Sequence, residues 1–67
     1  MKFNERLKKL REEKGLTQVQ LSELTGITAR QIQKYEGGKA RPRLDAAEML
    51  AKALDVSTDE LLGNAGM

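Results

Sequence analysis

The sequence predicts an all-α fold built from five short helices. Hydroxyl residues stand three positions before Glu or Gln at three places, which is the spacing of a helix N-cap and its capping box. Glycine follows the apolar segments, where it favours helix ends. Apolar residues recur at helical rather than alternating spacing, so no strand is expected. These signals place helices at about residues 3–14, 18–25, 29–36, 44–54 and 58–62, and they leave residues 64–67 as a tail.

Particular residues mark the starts, the stops and the apolar faces of these helices. The three capping pairs are Thr17 with Gln20, Thr28 with Gln31, and Ser57 with Glu60. The terminating glycines are Gly15, Gly26, Gly37, Gly38 and Gly63. The apolar faces are expected to hold Phe3, Leu7, Leu10, Val19, Leu21, Leu24, Leu44, Ala47, Leu50, Ala51, Leu54, Leu61 and Leu62. A chain of 67 residues has room for a single domain, residues 1–67, around one modest core.

The residue types that are missing narrow the function. The chain has no cysteine and no histidine, so it lacks disulfides, thiolate metal ligands and the commonest general base. We therefore expect no enzyme activity, no cofactor and no metal. The longest uncharged stretch, Gly15 to Ser22, is far shorter than the ~20 apolar residues of a membrane span. A cytoplasmic protein is therefore expected. No small-molecule ligand is expected, because so small a core leaves no space for a pocket.

The distribution of charge is more informative than the net charge of +2. Residues 28–43 carry five basic side chains and one acidic side chain, whereas residues 44–67 carry one basic and five acidic side chains. A basic middle beside an acidic end predicts one face that attracts polyanions and another that does not.

Two capped helices joined by a short turn at Gly26 and Ile27 make residues 17–36 a helix-turn-helix. At ~100° per residue, the second of these helices presents two opposed faces. The inner face holds Thr28, Gln31, Ile32 and Tyr35, and the outer face holds Ala29, Arg30, Gln33 and Lys34. The outer side chains are of the kinds that bond guanine, adenine or phosphate, or that pack on a thymine methyl group. The outer face is a candidate for reading DNA bases, and the alternative is an ordinary solvent-exposed face.

The segment TQVQLSELTGITARQIQKYEGGK, residues 17–39, resembles the helix-turn-helix of phage repressor and Cro proteins. The likeness to this lambda-repressor-like family extends over about residues 5–62 and implies a compact five-helix DNA-binding domain. Gln18 matches a position that touches a DNA phosphate, and the adjacent Thr17 is a second backbone candidate. The residues that match base-reading positions are Ala29, Arg30 and Lys34, with Gln33 as a further candidate.

The resemblance assigns three more groups of residues. The linker GGKARPR resembles a family loop that would place Lys39, Arg41 and Arg43 along the sugar-phosphate backbone. Arg11 and Glu36 match positions that the family joins by a partly buried ion pair. The segment Asp55, Val56 and Ser57, with the fifth helix, resembles the family's dimer contact.

Four residues depart from the family's pattern. Ser22 stands where Ala is usual, Gly37 where Asn or Arg is common, Glu48 where an apolar residue is frequent, and Asp55 where Gly normally closes the fourth helix. Aspartate can adopt the left-handed conformation, so the last change is expected to leave the fold intact.

The sequence therefore predicts a transcriptional regulator, most simply a repressor, that binds double-stranded DNA at a near-palindromic operator. Binding as a homodimer is expected, with weak association that strengthens on DNA, because a single module contacts few base pairs. The main alternative is a protein-interaction module on the same fold, such as an antitoxin or an anti-repressor. An enzyme is the least favoured class, since the carboxylates are scattered rather than gathered around a pocket.

Overall fold

The computed structural model describes residues 2–63, so Met1 and the predicted tail at residues 64–67 lie outside the described part. The helices are α1 (Phe3–Glu13), α2 (Gln18–Thr25), α3 (Ala29–Glu36), α4 (Leu44–Ala53) and α5 (Thr58–Leu62). The all-α prediction is confirmed, and residues 2–63 contain no strand. The bounds of α2, α3 and α5 are those predicted. The predicted ends of α1 and α4, at residues 14 and 54, were each one residue too late.

The early end of α4 has a conformational cause. Leu54 still has near-helical angles, with φ −92° and ψ 0°, but Asp55 has φ 59°. A left-handed residue at this place turns the chain, so the N–H of Val56 bonds back to the Ala51 carbonyl at 3.0 Å. Asp55 thus adopts the conformation for which the family uses glycine. The end of α1 is formed in the same way at Gly15, which has φ 70°.

Three helices begin at the predicted hydroxyl caps. The side-chain oxygens of Thr17, Thr28 and Ser57 each accept a hydrogen bond from the N–H three residues later, at 3.0, 3.1 and 3.0 Å. The Thr17 cap is a complete capping box, because Gln20 Oε1 accepts from the Thr17 N–H at 2.8 Å. Such a cap stabilises a helix by ~1 kcal/mol. The caps therefore determine where the short helices α2 and α3 begin.

One apolar core joins the helices. Helix α1 packs against α3 and α5, α4 packs against α2 and α5, and α2 packs against α3. Phe3 and Tyr35 meet edge to face, with ring centroids 6.0 Å apart and ring planes at 73°. The buried cluster consists of Phe3, Leu7, Leu21, Ile32, Tyr35, Leu50, Ala51, Leu54 and Leu61.

Three of the predicted core positions are exposed instead, so the prediction was wrong for them. Val19, Leu24 and Leu44 are 58%, 62% and 69% exposed. Val19 lies two residues from the buried Leu21, and on a helix that separation places it on the opposite side. Leu24 is the last residue but one of α2, and Leu44 is the first residue of α4. Apolar character alone therefore overestimated how much of these short helices is covered.

Candidate nucleic-acid interface

The turn between α2 and α3 is held by specific hydrogen bonds. Gly26 ends α2 with φ 77°, and its N–H bonds to the Ser22 carbonyl at 2.8 Å. The Thr25 hydroxyl donates to the Leu21 carbonyl at 2.9 Å and accepts from the Ile27 N–H at 3.2 Å. Half-buried Ile27 then packs against the core. Because backbone and side chain both fix this turn, α3 is held at a defined angle to α2.

The two faces of α3 differ as the sequence predicts. Ile32 is fully buried and Tyr35 is 6% exposed. The opposite side carries half-buried Ala29 and the exposed side chains of Arg30, Gln33 and Lys34. Among the described residues, the polar side chains on this side form no ion pair. The outer face of α3 (Ala29, Arg30, Gln33 and Lys34) therefore presents donors to solvent that no internal group uses.

The linker after α3 adds three more exposed cations, Lys39, Arg41 and Arg43. None of them is in an ion pair within residues 2–63. The N–H of Lys39 bonds to the carbonyl of Lys34 at 2.9 Å, which fastens the start of the linker to the last turn of α3. The left-handed residue of this turn is Gly38, with φ 74°. The linker cations therefore come directly after the helix that carries Arg30 and Lys34, and the start of the linker is fixed to the end of that helix.

A buried ion pair connects α1 to the end of α3. Arg11 Nε donates to Glu36 Oε2 at 2.6 Å, and Arg11 Nη2 donates to Glu36 Oε1 at 2.9 Å. The two side chains are 11% and 6% exposed. Arg11 Nη1 also donates to the Leu16 carbonyl at 2.8 Å. The hydrogen bonds to Glu36 raise the pKa of the Arg11 guanidinium above its ordinary value, although desolvation opposes them.

Gln18, a predicted phosphate contact, joins the same ion pair. Its Nε2 donates to Glu36 Oε1 at 3.1 Å, and the side chain is half-buried. An amide group has two N–H donors, so one remains for a phosphate. The Thr17 hydroxyl accepts the capping bond and retains its own hydrogen to donate. The sequence reasoning missed this use of Gln18, because no local spacing connects residues 18 positions apart.

The predicted dimer segment lies in the turn between α4 and α5. Asp55 is exposed, and its carboxylate is 3.9 Å from Nζ of Lys14. Val56 is half-buried and packs against the core. Ser57 uses its hydroxyl as the N-cap of α5. The groups in this segment that are open to a second copy are therefore the Asp55 carboxylate, the outer part of Val56 and the hydroxyl hydrogen of the exposed Ser57.

The described residues form two open surface grooves that the sequence did not predict. The first groove has a volume of about 400 Å³ and is lined by Lys2, Phe3, Asn4, Tyr35, Gly38, Ala40, Arg41 and Leu62. The second has a volume of about 430 Å³ and is lined by Leu24, Thr25, Met49, Lys52 and Ala53. Both form where separate elements meet at the surface. No pattern within one helix indicates such a place.

Between residues 2 and 63, no three acidic side chains lie close enough together to hold a metal ion. No helix in this range is long and apolar enough to cross a bilayer.

Comparison with known proteins places the chain in a family. The helix-turn-helix family profile matches residues 7–61. The chain is 42% identical over 62 residues to the HTH-type transcriptional activator BcrR of Enterococcus faecalis, covering 92% of this chain and 30% of that protein. It is 48% identical over 60 residues to the SPbeta prophage-derived uncharacterized HTH-type transcriptional regulator YonR of Bacillus subtilis, covering 90% of this chain and 56% of that protein.

The fold of a solved structure agrees with these sequence likenesses. The P22 c2 repressor protein, in complex with synthetic operator 9T, superposes with a TM-score of 0.90 at 26% sequence identity. The match covers 96% of this chain and 97% of the repressor chain. By contrast, the chain spans only about a third to a half of the curated relatives described above. The chain belongs to the helix-turn-helix family and, within it, to the lambda-repressor-like proteins.

Proposed function

We propose that residues 1–67 form a sequence-specific DNA-binding domain of a transcriptional regulator, and that α3 reads base edges in the major groove. The observation that carries this proposal is the contrast between the two sides of α3. One side is anchored in the core by Ile32 and Tyr35, while Arg30 and Lys34 on the other side have no internal partner. A rigid helix with unused donors suits the major groove, which admits an α-helix.

Each residue of the outer face has a chemical role in this proposal. Arg30, near the start of α3, offers a guanidinium fork that matches guanine O6 and N7. Lys34, one turn later, reaches a neighbouring guanine or a phosphate, and we favour the base contact. Gln33 has the amide geometry that pairs with adenine, and Ala29 is short enough to pack on a thymine methyl group.

Backbone contacts would come from both sides of α3. The exposed cations Lys39, Arg41 and Arg43 lie along the phosphates after the helix. Gln18 and Thr17, at the start of α2, each keep one donor for a phosphate on the other side. Such contacts position the protein on the duplex and carry no sequence information themselves.

Two copies of the domain are required for useful discrimination. One recognition helix contacts only a few base pairs, whereas two copies on half-sites ~34 Å apart read a full operator. We assign the contact to Asp55, Val56 and Ser57 with α5, on the acidic end of the chain. The available surface there is small, so association strengthens on DNA. Repression by occupation of the operator is the simplest regulatory outcome, and a cytoplasmic location fits this role.

Selection of bound sites from random duplexes tests the proposal. We expect enrichment of a near-palindrome, with two protomers bound per duplex in a titration. The matched control is the double variant Arg30→Ala and Lys34→Ala, which should keep the helical circular dichroism of the unaltered protein but should enrich no sequence. If the unaltered protein selects no sequence, or if its sites lack two-fold symmetry, the proposal is wrong. In the first case the protein-interaction alternative is preferred.

A further inference from the structure

Tyr35 has a polar group that the fold does not use. Its side chain lies on the inner face of α3, it is 6% exposed, and its ring meets Phe3 edge to face. Its hydroxyl takes part in none of the side-chain hydrogen bonds found between residues 2 and 63. Every fully buried polar side-chain atom of this range has a partner. The Tyr35 hydroxyl is therefore the end of the side chain that reaches the first surface groove, which it lines.

The other polar groups of this groove are donors as well. Asn4 lies against the linker, since a Cβ at Gly38 would be 3.6 Å from Asn4 Nδ2. Lys2 and Arg41 are exposed at the groove, and neither is in an ion pair within the described range. No acidic residue lines the groove. A hydroxyl, an amide and two cations around one open space form a donor set suited to an anion.

We propose that this groove seats a phosphodiester group of the DNA backbone, held by Tyr35, Asn4, Lys2 and Arg41. The inference rests on the proposed function, and it extends the DNA-contacting surface from the linker to the start of α1. Arg41 favours DNA over a free anion as the source of the phosphate, because it belongs to both the groove and the linker cations. The groove is open rather than enclosed, so a polymer can pass through it.

Replacement of Tyr35 by Phe separates this role from folding. The hydroxyl has no partner in the described chain, so Tyr35→Phe is expected to leave the urea denaturation midpoint unchanged. Binding to the selected operator should weaken by about tenfold per protomer, since a hydrogen bond to a charged group is lost. The loss should be similar on every sequence, because a phosphate contact does not read bases.

Removal of a charge provides a second, independent measurement. Lys2→Gln should make the slope of log affinity against log salt less steep by about one unit per protomer. Lys52→Gln is the matched control, because Lys52 is also exposed but lines the second groove, on the α2 and α4 side. We expect that control to leave the slope unchanged.

Duplexes with single neutral methylphosphonates identify the contacted phosphate. One position outside the bases read by α3 should weaken the unaltered protein, and Tyr35→Phe should lose nothing further on that duplex. If Tyr35→Phe and Lys2→Gln bind like the unaltered protein while Arg30→Ala fails, this inference is overturned and the proposed function stands. If the unaltered protein binds no operator, both fall. Shifts of the Tyr35 and Asn4 NMR signals on adding inorganic phosphate would then assign the groove to a free anion.

Discussion

Two regions that meet at α3 use the same basic side chain in opposite ways. At the inner junction, Arg11 is nearly buried and donates to Glu36 and to the Leu16 carbonyl through three separate nitrogens. On the outer face of α3, the exposed Arg30 has no ion-pair partner in residues 2–63.

The contrast shows that the role of an arginine in this fold depends on whether its N–H donors are already bonded within the protein. A guanidinium that bonds inside the protein through all three of its nitrogens is a structural tie, and removing it strands a buried carboxylate. A guanidinium without internal bonds costs little to remove from the folded protein but is free for an external ligand. Substitutions at the inner junction should therefore lower stability, whereas substitutions on the outer face of α3 should lower DNA affinity and leave stability nearly unchanged.

The largest expected effect is on stability at the inner junction. Arg11→Met leaves Glu36 buried at 6% exposure without its counter-charge, and we expect a loss of ~3 kcal/mol in the free energy of unfolding. Glu36→Gln strands the guanidinium instead and should also be strongly destabilising. Urea denaturation measures both, with Arg30→Ala as the control that stays near the unaltered protein. A loss within experimental error for both junction variants would show that the pair is not desolvated.

The second-largest expected effect is on DNA affinity and not on the stability of the folded protein. Arg30→Ala should weaken binding to the preferred operator by ~1–3 kcal/mol and should have much less effect on an operator already mutated at the contacted guanine. Arg30→Lys retains the charge without the fork, so it should recover only part of the loss. Measurements on matched and mismatched duplexes at one salt concentration decide the point. An equal loss on every sequence would mean that Arg30 contributes charge alone.

A smaller and sequence-independent effect is expected in the linker. If Lys39, Arg41 and Arg43 contact phosphates in both protomers, these six contacts should contribute about −5 to the log–log slope of affinity against salt, and Arg41→Ala should reduce that contribution to about −3.5. The affinity should fall about equally for all sequences. Filter binding or fluorescence anisotropy across a salt series measures the slope, and an unchanged slope would make the linker ordinary solvated surface.

The smallest expected effect is on stability, at an exposed ion pair that serves as a comparison for the Arg11–Glu36 pair. Lys14 and Asp55 approach to 3.9 Å, but their side chains are 46% and 90% exposed. Water screens such a pair, so Lys14→Met should change the unfolding free energy by less than ~1 kcal/mol. Both Arg11 and Lys14 lie near the end of α1, so their difference isolates burial as the cause. A loss at Lys14 as large as that at Arg11 would contradict this explanation.

Local signals in the sequence were enough to determine the helices and the two faces of α3. Hydroxyl caps, the terminating residues and helical spacing act within one turn of chain, and the structure has the starts of α2, α3 and α5 at the predicted residues. The opposed faces of α3 follow from its period, because Ile32 and Arg30 must point to different sides of so short a helix.

The tertiary structure alone decided which of those surfaces are covered and which polar groups meet. Val19, Leu24 and Leu44 are apolar but remain 58%, 62% and 69% exposed, and Gln18 bonds to Glu36 because the packing of α2 against α3 brings the start of one helix to the end of the other. The two grooves likewise arise only where elements distant in sequence come together. Contacts of this kind depend on the angle between helices, which no spacing along a single helix encodes.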